Sequence, residues 1–339
     1  MKSIVKISMT AALIAAMVLN ACERRILEDD YMEYALIPVI IDWSISGVSV
    51  EEMHRASVWM FPHDGGAPQQ YRLENDLTYR EIRVPVGVYS VLVFNETTDD
   101  SDWNNIVFKG TKRYETFAAM NIPQDEIGFY TRSEDLPLIG NPEALAAWSL
   151  DYFEVTEEMV VKTRALSKNS AALLEEVPDL TVVKPLPRFE RVVINAYVTN
   201  LASSKQVTGT IDGMYSGVYM VSGERIKDPA VQAFVLNSRA YNGYDGTTTR
   251  TFNIFGKAPE TGHNLVLDFL LTNNELHPRE EFDLTNLIFT ETVEHVLTHV
   301  VNVGFGNING DHEIILPEGD MDASNISVED WEEVTIPLN

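Results

Sequence analysis

Cysteine is nearly absent: the chain of 339 residues holds one, Cys22. A single thiol excludes internal disulfides, so stability has to come from packed cores. Positive charge is scarce too. With 25 Lys and Arg against 51 Asp and Glu, the formal net charge is −26, a field that repels phosphate backbones and anionic headgroups. It excludes nucleic acid as a partner and electrostatic docking to membranes. Beyond the N-terminal leader no other apolar run of that kind appears, which argues against a membrane-spanning protein. Catalytic patterns are missing as well: no Gly-x-Ser-x-Gly elbow, no Gly-rich loop ending in Gly-Lys-Ser/Thr, no His-Glu-x-x-His. Asp99, Asp100 and Asp102 lie in a Thr-Thr-Asp-Asp-Ser-Asp loop, where carboxylates are solvated rather than paired as acid and base. No enzymatic activity and no cofactor are expected.

What is present begins with the leader. Met1-Lys-Ser-Ile-Val-Lys6 is followed by apolar residues from Ile7 to Leu19 and then by Leu19-Asn20-Ala21-Cys22. The charged start, the short apolar stretch and the final cysteine resemble the lipobox of bacterial prolipoproteins, with Asn20 the one departure. The resemblance implies cleavage before Cys22 and a lipid on its sulfur, which leaves no thiol nucleophile. Loss of Lys2 and Lys6 with residues 1–21 would take the charge from −26 to −28. The polar run Glu23 to Glu33 suits a tether.

From Leu36 onward, short β-branched and aromatic runs recur between turn residues. They are Leu36–Trp43, Ala56–Phe61, Tyr79–Val84, Val88–Phe94, Trp103–Lys109 and Tyr152–Thr156. Asn141-Pro142-Glu143 predicts a short helix through Trp148, and a second helix or mixed connector spans Thr156 to Glu176. A second strand-rich block follows, its runs including Asn264–Leu271, Val296–Val303 and a last one at Val334–Leu338, with alternation clearest in Arg191–Thr199 and Thr247–Phe255. Asp212-Gly213, Asn242-Gly243, Asp245-Gly246 and Asn309-Gly310 read as hairpin turns. The expected fold is mainly β: two tandem antiparallel β-sandwich domains after a lipoprotein signal peptide. The expected boundaries are 1–21 for the signal peptide, 22–35 for the tether, 36–156 for the first domain, 157–180 for a connector and 181–339 for the second domain.

Metal ligation is not expected. His295 and His299 are four apart with Asp311, His312 and Glu313 following, but the run is β-branched and no spacing fixes a third ligand, so both read as polar residues of an exposed strand face. Asp320-Met-Asp322-Ala-Ser324 starts like a calcium loop yet lacks its glycine and its closing glutamate, where Trp331 stands.

Several passages together resemble the fimbrillin-like and fimbrial anchor lipoproteins of Bacteroides-type bacteria. They are Cys22–Leu27, Ile41-Asp-Trp43, Val58–Gly66, Val84–Asn95, Phe189–Val198, Gly209–Gly217 and Val328–Trp331. The resemblance implies a pair of transthyretin-like sandwiches, outer-membrane anchoring and, in some members, a role in fimbrial assembly. Within it, Tyr89, Val91 and Val93 would share one strand face, with Trp43 and Trp59 filling the same interior. Asp212-Gly213 would turn the chain between strands.

The functional expectation is a lipid-anchored structural or adhesion protein of the cell outer membrane, exposed at the surface as an anchor or accessory subunit of a fimbria-like assembly. Its partners would be fimbrial subunits or other surface proteins, met through strand pairing, and the outer membrane itself through the lipid on Cys22. The alternative is a surface glycan-binding lipoprotein of a polysaccharide-uptake system, with Trp103, Trp148, Tyr241 and Tyr244 as its sugar-stacking residues.

Overall fold

The computed structural model describes residues 34–99, 103–128, 136–166, 182–259, 262–306 and 310–318, with backbone alone at 130–131 and 163–166. Cys22 and the rest of the expected tether up to residue 33, the Asp320 loop, Trp331 and the last expected strand, Val334–Leu338, lie outside the described residues, while the tether's last two residues, Tyr34 and Ala35, open β1.

The first block supplies β1 (Tyr34–Ile40), β2 (Ala56–Pro62), β3 (Gln69–Leu73), β4 (Tyr79–Pro85) and β5 (Gly87–Asn95). Short strands follow: β6 (Ile106–Lys109), β7 (Ala118–Asn121), β8 (Pro123–Gln124), β9 (Glu126–Ile127), β10 (Tyr130–Thr131) and β11 (Leu138–Ile139). The longer β12 (Ala146–Val155) leads into the helix α1 (Glu157–Leu166). The second block begins with β13 (Leu186–Pro187), β14 (Glu190–Thr199), β15 (Ser204–Tyr219), β16 (Arg225–Leu236), β17 (Ser238–Asn242) and β18 (Asp245–Ile254). It ends with β19 (Asn264–Leu271), β20 (Glu280–Asp283), β21 (Ile288–Val293), β22 (Val296–Val303) and β23 (Ile314–Ile315).

Three cores hold these strands. The five-stranded sheet β13-β12-β5-β2-β3 faces the β1–β4 pair across a first core containing Ile37, Val39, Trp43, Val58, Met60, Tyr89, Val91 and Val93. The six-stranded sheet β17-β18-β14-β22-β21 faces the eight-stranded sheet built on β15 and β16 across a second, containing Ile194, Val198, Phe234, Phe252, Leu267 and Val301. Between the two sandwiches lies a third core of Trp59, Phe61, Leu92, Phe94, Trp103, Tyr114, Phe117, Val218, Met220 and Phe255.

Side chains along a strand alternate between faces, and this sorts β2 and β5 between two cores. Val58 and Met60 enter the first core while Trp59 and Phe61 enter the third; Val91 and Val93 part in the same way from Leu92 and Phe94. A sheet buried on both faces needs a continuous apolar run, which is why Val88–Phe94 is one. The expectation that Trp59 fills the Trp43 interior is therefore corrected. Trp59 is a core residue, but of the opposite face.

The expected helix after Asn141 is absent, and Ala146–Val155 is a strand from its first residue. Ala146 enters the first core and Ala147 the third, so small residues there let the sheet be covered on both sides. Asn95 locks the entry: its amide donates to the Ala144 carbonyl and accepts from the Ala146 N–H at 2.9 and 2.7 Å. Helix α1 does form, its first turn capped by Thr156 Oγ1, which accepts from the Met159 N–H.

Most pairings are antiparallel, but β14 runs parallel to β22 and β11 parallel to β16. The blocks also share a sheet. β7 pairs with the last residues of β15, and β11 pairs with β16, so residues 106–139 complete a sheet centred on the second block. Asp212-Gly213 is not a turn. It lies inside β15 where the register to β16 slips between Ile211 and Met214, and Gly213 takes φ +68°, a bulge that bends the strand.

Candidate interaction surface

The six-stranded sheet ends at β21, which among the described residues pairs with β22 alone. Among the described residues no strand covers its outer row of main-chain groups, which makes it a template for another strand. Every residue of β21 after Ile288 is exposed, including Phe289 at 61% and Val293 at 37%. No proline or lysine blocks this edge, although natural edges are commonly guarded by both. β21 was invisible as a strand in the sequence, because Thr-Glu-Thr interrupts the apolar pattern.

β21 is also tied to the interior. Thr290 Oγ1 lies 2.9 Å from His299 Nδ1, and His299 Nε2 lies 2.8 Å from Glu190 Oε2. The other Glu190 oxygen accepts from Arg225 at 3.1 Å, and Arg225 donates to the Arg188 carbonyl at 2.9 Å. Burial alone would raise the Glu190 pKa, but the hydrogen bond to His299 and the Arg225 charge outweigh it and hold the carboxyl below its usual range. Arg188 sends its own N–H groups to the Met220 and Val221 carbonyls. Burial and the Arg225 charge lower it to about 10.

This separates the histidines that spacing had joined. His295 stands in the turn between β21 and β22 with φ +69°, exposed, while His299 is 3% exposed beneath Thr290. The reading of His299 as an exposed residue is corrected: its ring is the hydrogen-bonding link between Thr290 and Glu190. His312 is elsewhere, its Nε2 at 2.7 Å from Glu280 Oε2 and its ring stacked on Phe282. Asp311 accepts from the N–H groups of Gly304, Phe305 and Gly306 and shapes a loop. Asp99 pairs with Arg72 at 3.0 Å.

The four aromatics named for sugar stacking are not brought together. Trp103 is 5% exposed in the third core and donates its indole N–H to the Thr97 carbonyl at 2.6 Å. Trp148 is half-buried against the first core. Tyr241 and Tyr244 share the β17–β18 hairpin, turned at Gly243 with φ +72°, and are exposed at 46% and 63%.

The sequence matches a family model described as a domain of unknown function (DUF5119) over residues 21–235. Among curated proteins none matches it. Of solved structures, a candidate adhesin from Bacteroides ovatus superposes with a TM-score of 0.54 at 17% identity, over 88% of this chain and 98% of that one. The fimbrial anchor protein Mfa2 from Porphyromonas gingivalis gives 0.44 at 12% identity, over 80% and 90%. A fimbrial assembly protein from Parabacteroides distasonis gives 0.36 at 9% identity, over 79% and 91%. The Bacteroides ovatus protein has the fold described above, and the mainly β architecture expected from the sequence is the one found. With well over half its length under one family model, the chain belongs to the family described as a domain of unknown function (DUF5119).

Proposed function

We propose that the protein is a lipid-anchored surface subunit of a fimbria-like assembly, held at the outer membrane through Cys22 and joined to neighbouring subunits by strand pairing. The observation that carries this reading is the open β21 edge with its exposed Phe289 and Val293. A strand laid along that edge gains a ladder of main-chain hydrogen bonds, and the flanking apolar side chains gain burial. The names of the structural neighbours, a candidate adhesin and fimbrial anchor and assembly proteins, point the same way. Such a protein acts by holding partners rather than by turning over substrate, and we infer no catalytic role.

The test is a pull-down of the native protein from gently solubilised outer membranes, with mass spectrometry of what accompanies it. Fimbrillin-like subunits should co-purify, and a Cys22→Ala variant should be lost from the membrane fraction. Recovery of outer-membrane transporters and glycan-processing enzymes in their place would overturn the assembly reading, and an unchanged membrane fraction for Cys22→Ala would overturn the anchor.

A further inference from the structure

A cavity of about 380 Å³ opens between the two blocks, lined by His63, Ser90, Tyr114, Glu115, Asp151, Val221 and Ser222. Its volume falls in the range of roughly 300–1,000 Å³ typical of small-molecule sites. These seven residues come from five separate stretches of the chain, and the fold prepares each stretch.

Asp151 and Tyr152 project outward together because β12 carries a bulge. The register to β5 slips between Leu150 and Phe153, and the alternation of faces breaks so that two consecutive side chains are exposed. The Asp151 carboxylate is then held by Tyr114, whose hydroxyl donates to Oδ1 at 2.9 Å from a ring packed in the third core against Phe61. Burial and the bond to Asp151 raise the Tyr114 pKa well above the phenol range, so Tyr114 remains a donor. The Asp151 carbonyl accepts from Ser90 Oγ at 2.8 Å, and Ser90 Oγ in turn lies 2.9 Å from His63 Nε2. On the opposite wall, Val221 is fixed by two donors to its carbonyl, Ser149 Oγ at 3.2 Å and Arg188 at 3.3 Å. The Tyr152 ring stands at the rim, 59% exposed, in edge contact with His63, its hydroxyl held by Glu154 at 2.9 Å.

We propose that this cavity binds one ring of a neutral sugar. The chemistry of the lining selects that class. No Lys or Arg is present while Glu115 and Asp151 are, so phosphate, sulfate and carboxylate ligands are repelled. An amine would satisfy the two carboxylates but leave the Ser222 hydroxyl and the His63 ring without use. A sugar hydroxyl both donates and accepts, so it matches a lining of carboxylates beside hydroxyls and an imidazole. The exposed Tyr152 ring offers the flat apolar face that the C–H side of a pyranose covers. This inference does not rest on the assembly reading, since no residue of β21 lines the cavity.

The test is saturation-transfer NMR on the full-length protein in detergent micelles, titrated with glucose, galactose, mannose, fucose and N-acetylglucosamine. At least one should bind saturably in the millimolar range. Asp151→Asn should weaken it by about tenfold, the worth of one hydrogen bond to a charged group. Tyr152→Ala should weaken it several-fold, and Tyr244→Ala, on the β17–β18 hairpin that does not line the cavity, should leave it unchanged. Both pocket positions are exposed, so each variant should melt as the parent does. Absence of saturable binding by every sugar overturns the proposal, as does sugar binding that Asp151→Asn and Tyr152→Ala leave intact. Displacement of a bound sugar by spermidine at lower concentration than by sugar itself would make this an amine site and overturn it too.

Discussion

The five-stranded and six-stranded sheets solve opposite problems. In the first, β2 and β5 are covered on both faces, and two cores draw on alternate residues of the same strands. In the second, one face is packed while the terminal strand β21 leaves its residues in solvent. The first sheet is an interior that happens to be made of strands, and the second ends in a surface that a partner can complete. The contrast shows that strand composition alone does not reveal which sheet is structural. What reveals it is how many faces each strand has covered.

Phe94→Ala attacks the doubly covered sheet. The ring is fully buried between Phe108 and Phe117, and its loss should cost about 4 kcal/mol in urea unfolding. Glu190→Gln acts at the junction between buried interior and open edge. It leaves Arg225 without its carboxylate and should cost about 3 kcal/mol by the same assay, with the loss persisting at neutral pH.

The acid limb of stability sharpens the same comparison. Glu190 has a folded pKa below its ordinary 4.5, so its contribution is present above that value and is lost as pH falls through the folded pKa. Melting temperatures of the parent should therefore fall more steeply below about pH 4.5 than those of Glu190→Gln; equal slopes would remove Glu190 from the account. The smallest effect is expected at the open edge. Phe289→Lys should change stability by no more than about 0.5 kcal/mol, yet it should abolish co-purification of partner subunits. A variant that keeps its partners would place the contact elsewhere.

Much of the fold was legible. Asn264–Leu271 and Val296–Val303 were expected as strands and are β19 and β22 to the residue, because each combines β-branched runs with clear flanking turns. The misreadings have physical causes. Asn141-Pro142 opens no helix because Ala146 and Ala147 are drawn between two cores, a tertiary demand that local capping cannot show. Asp212-Gly213 has the composition of a turn, but pairing on both sides of β15 keeps the strand going and turns the glycine into a bulge. The cavity was not legible at all. His63, Ser90, Tyr114, Asp151 and Ser222 are scattered over much of the chain, and the bulge that exposes Asp151 depends on pairing rather than on any motif. The resemblance of Leu19–Cys22 to a lipobox, in contrast, is wholly local in sequence.

The pairing of β7 with β15 and of β11 with β16 has a mechanical meaning. A body of two sandwiches joined by a single connector would bend at that connector and absorb a pull by swinging. Here a stretch of the first block is stitched into the second, so the halves separate only after those ladders unzip. Load entering one block passes to the other through hydrogen bonds and the aromatic packing around Phe117. Pairing of this kind would make the two halves move as one link, so a chain assembled from such links would bend at the joints between units.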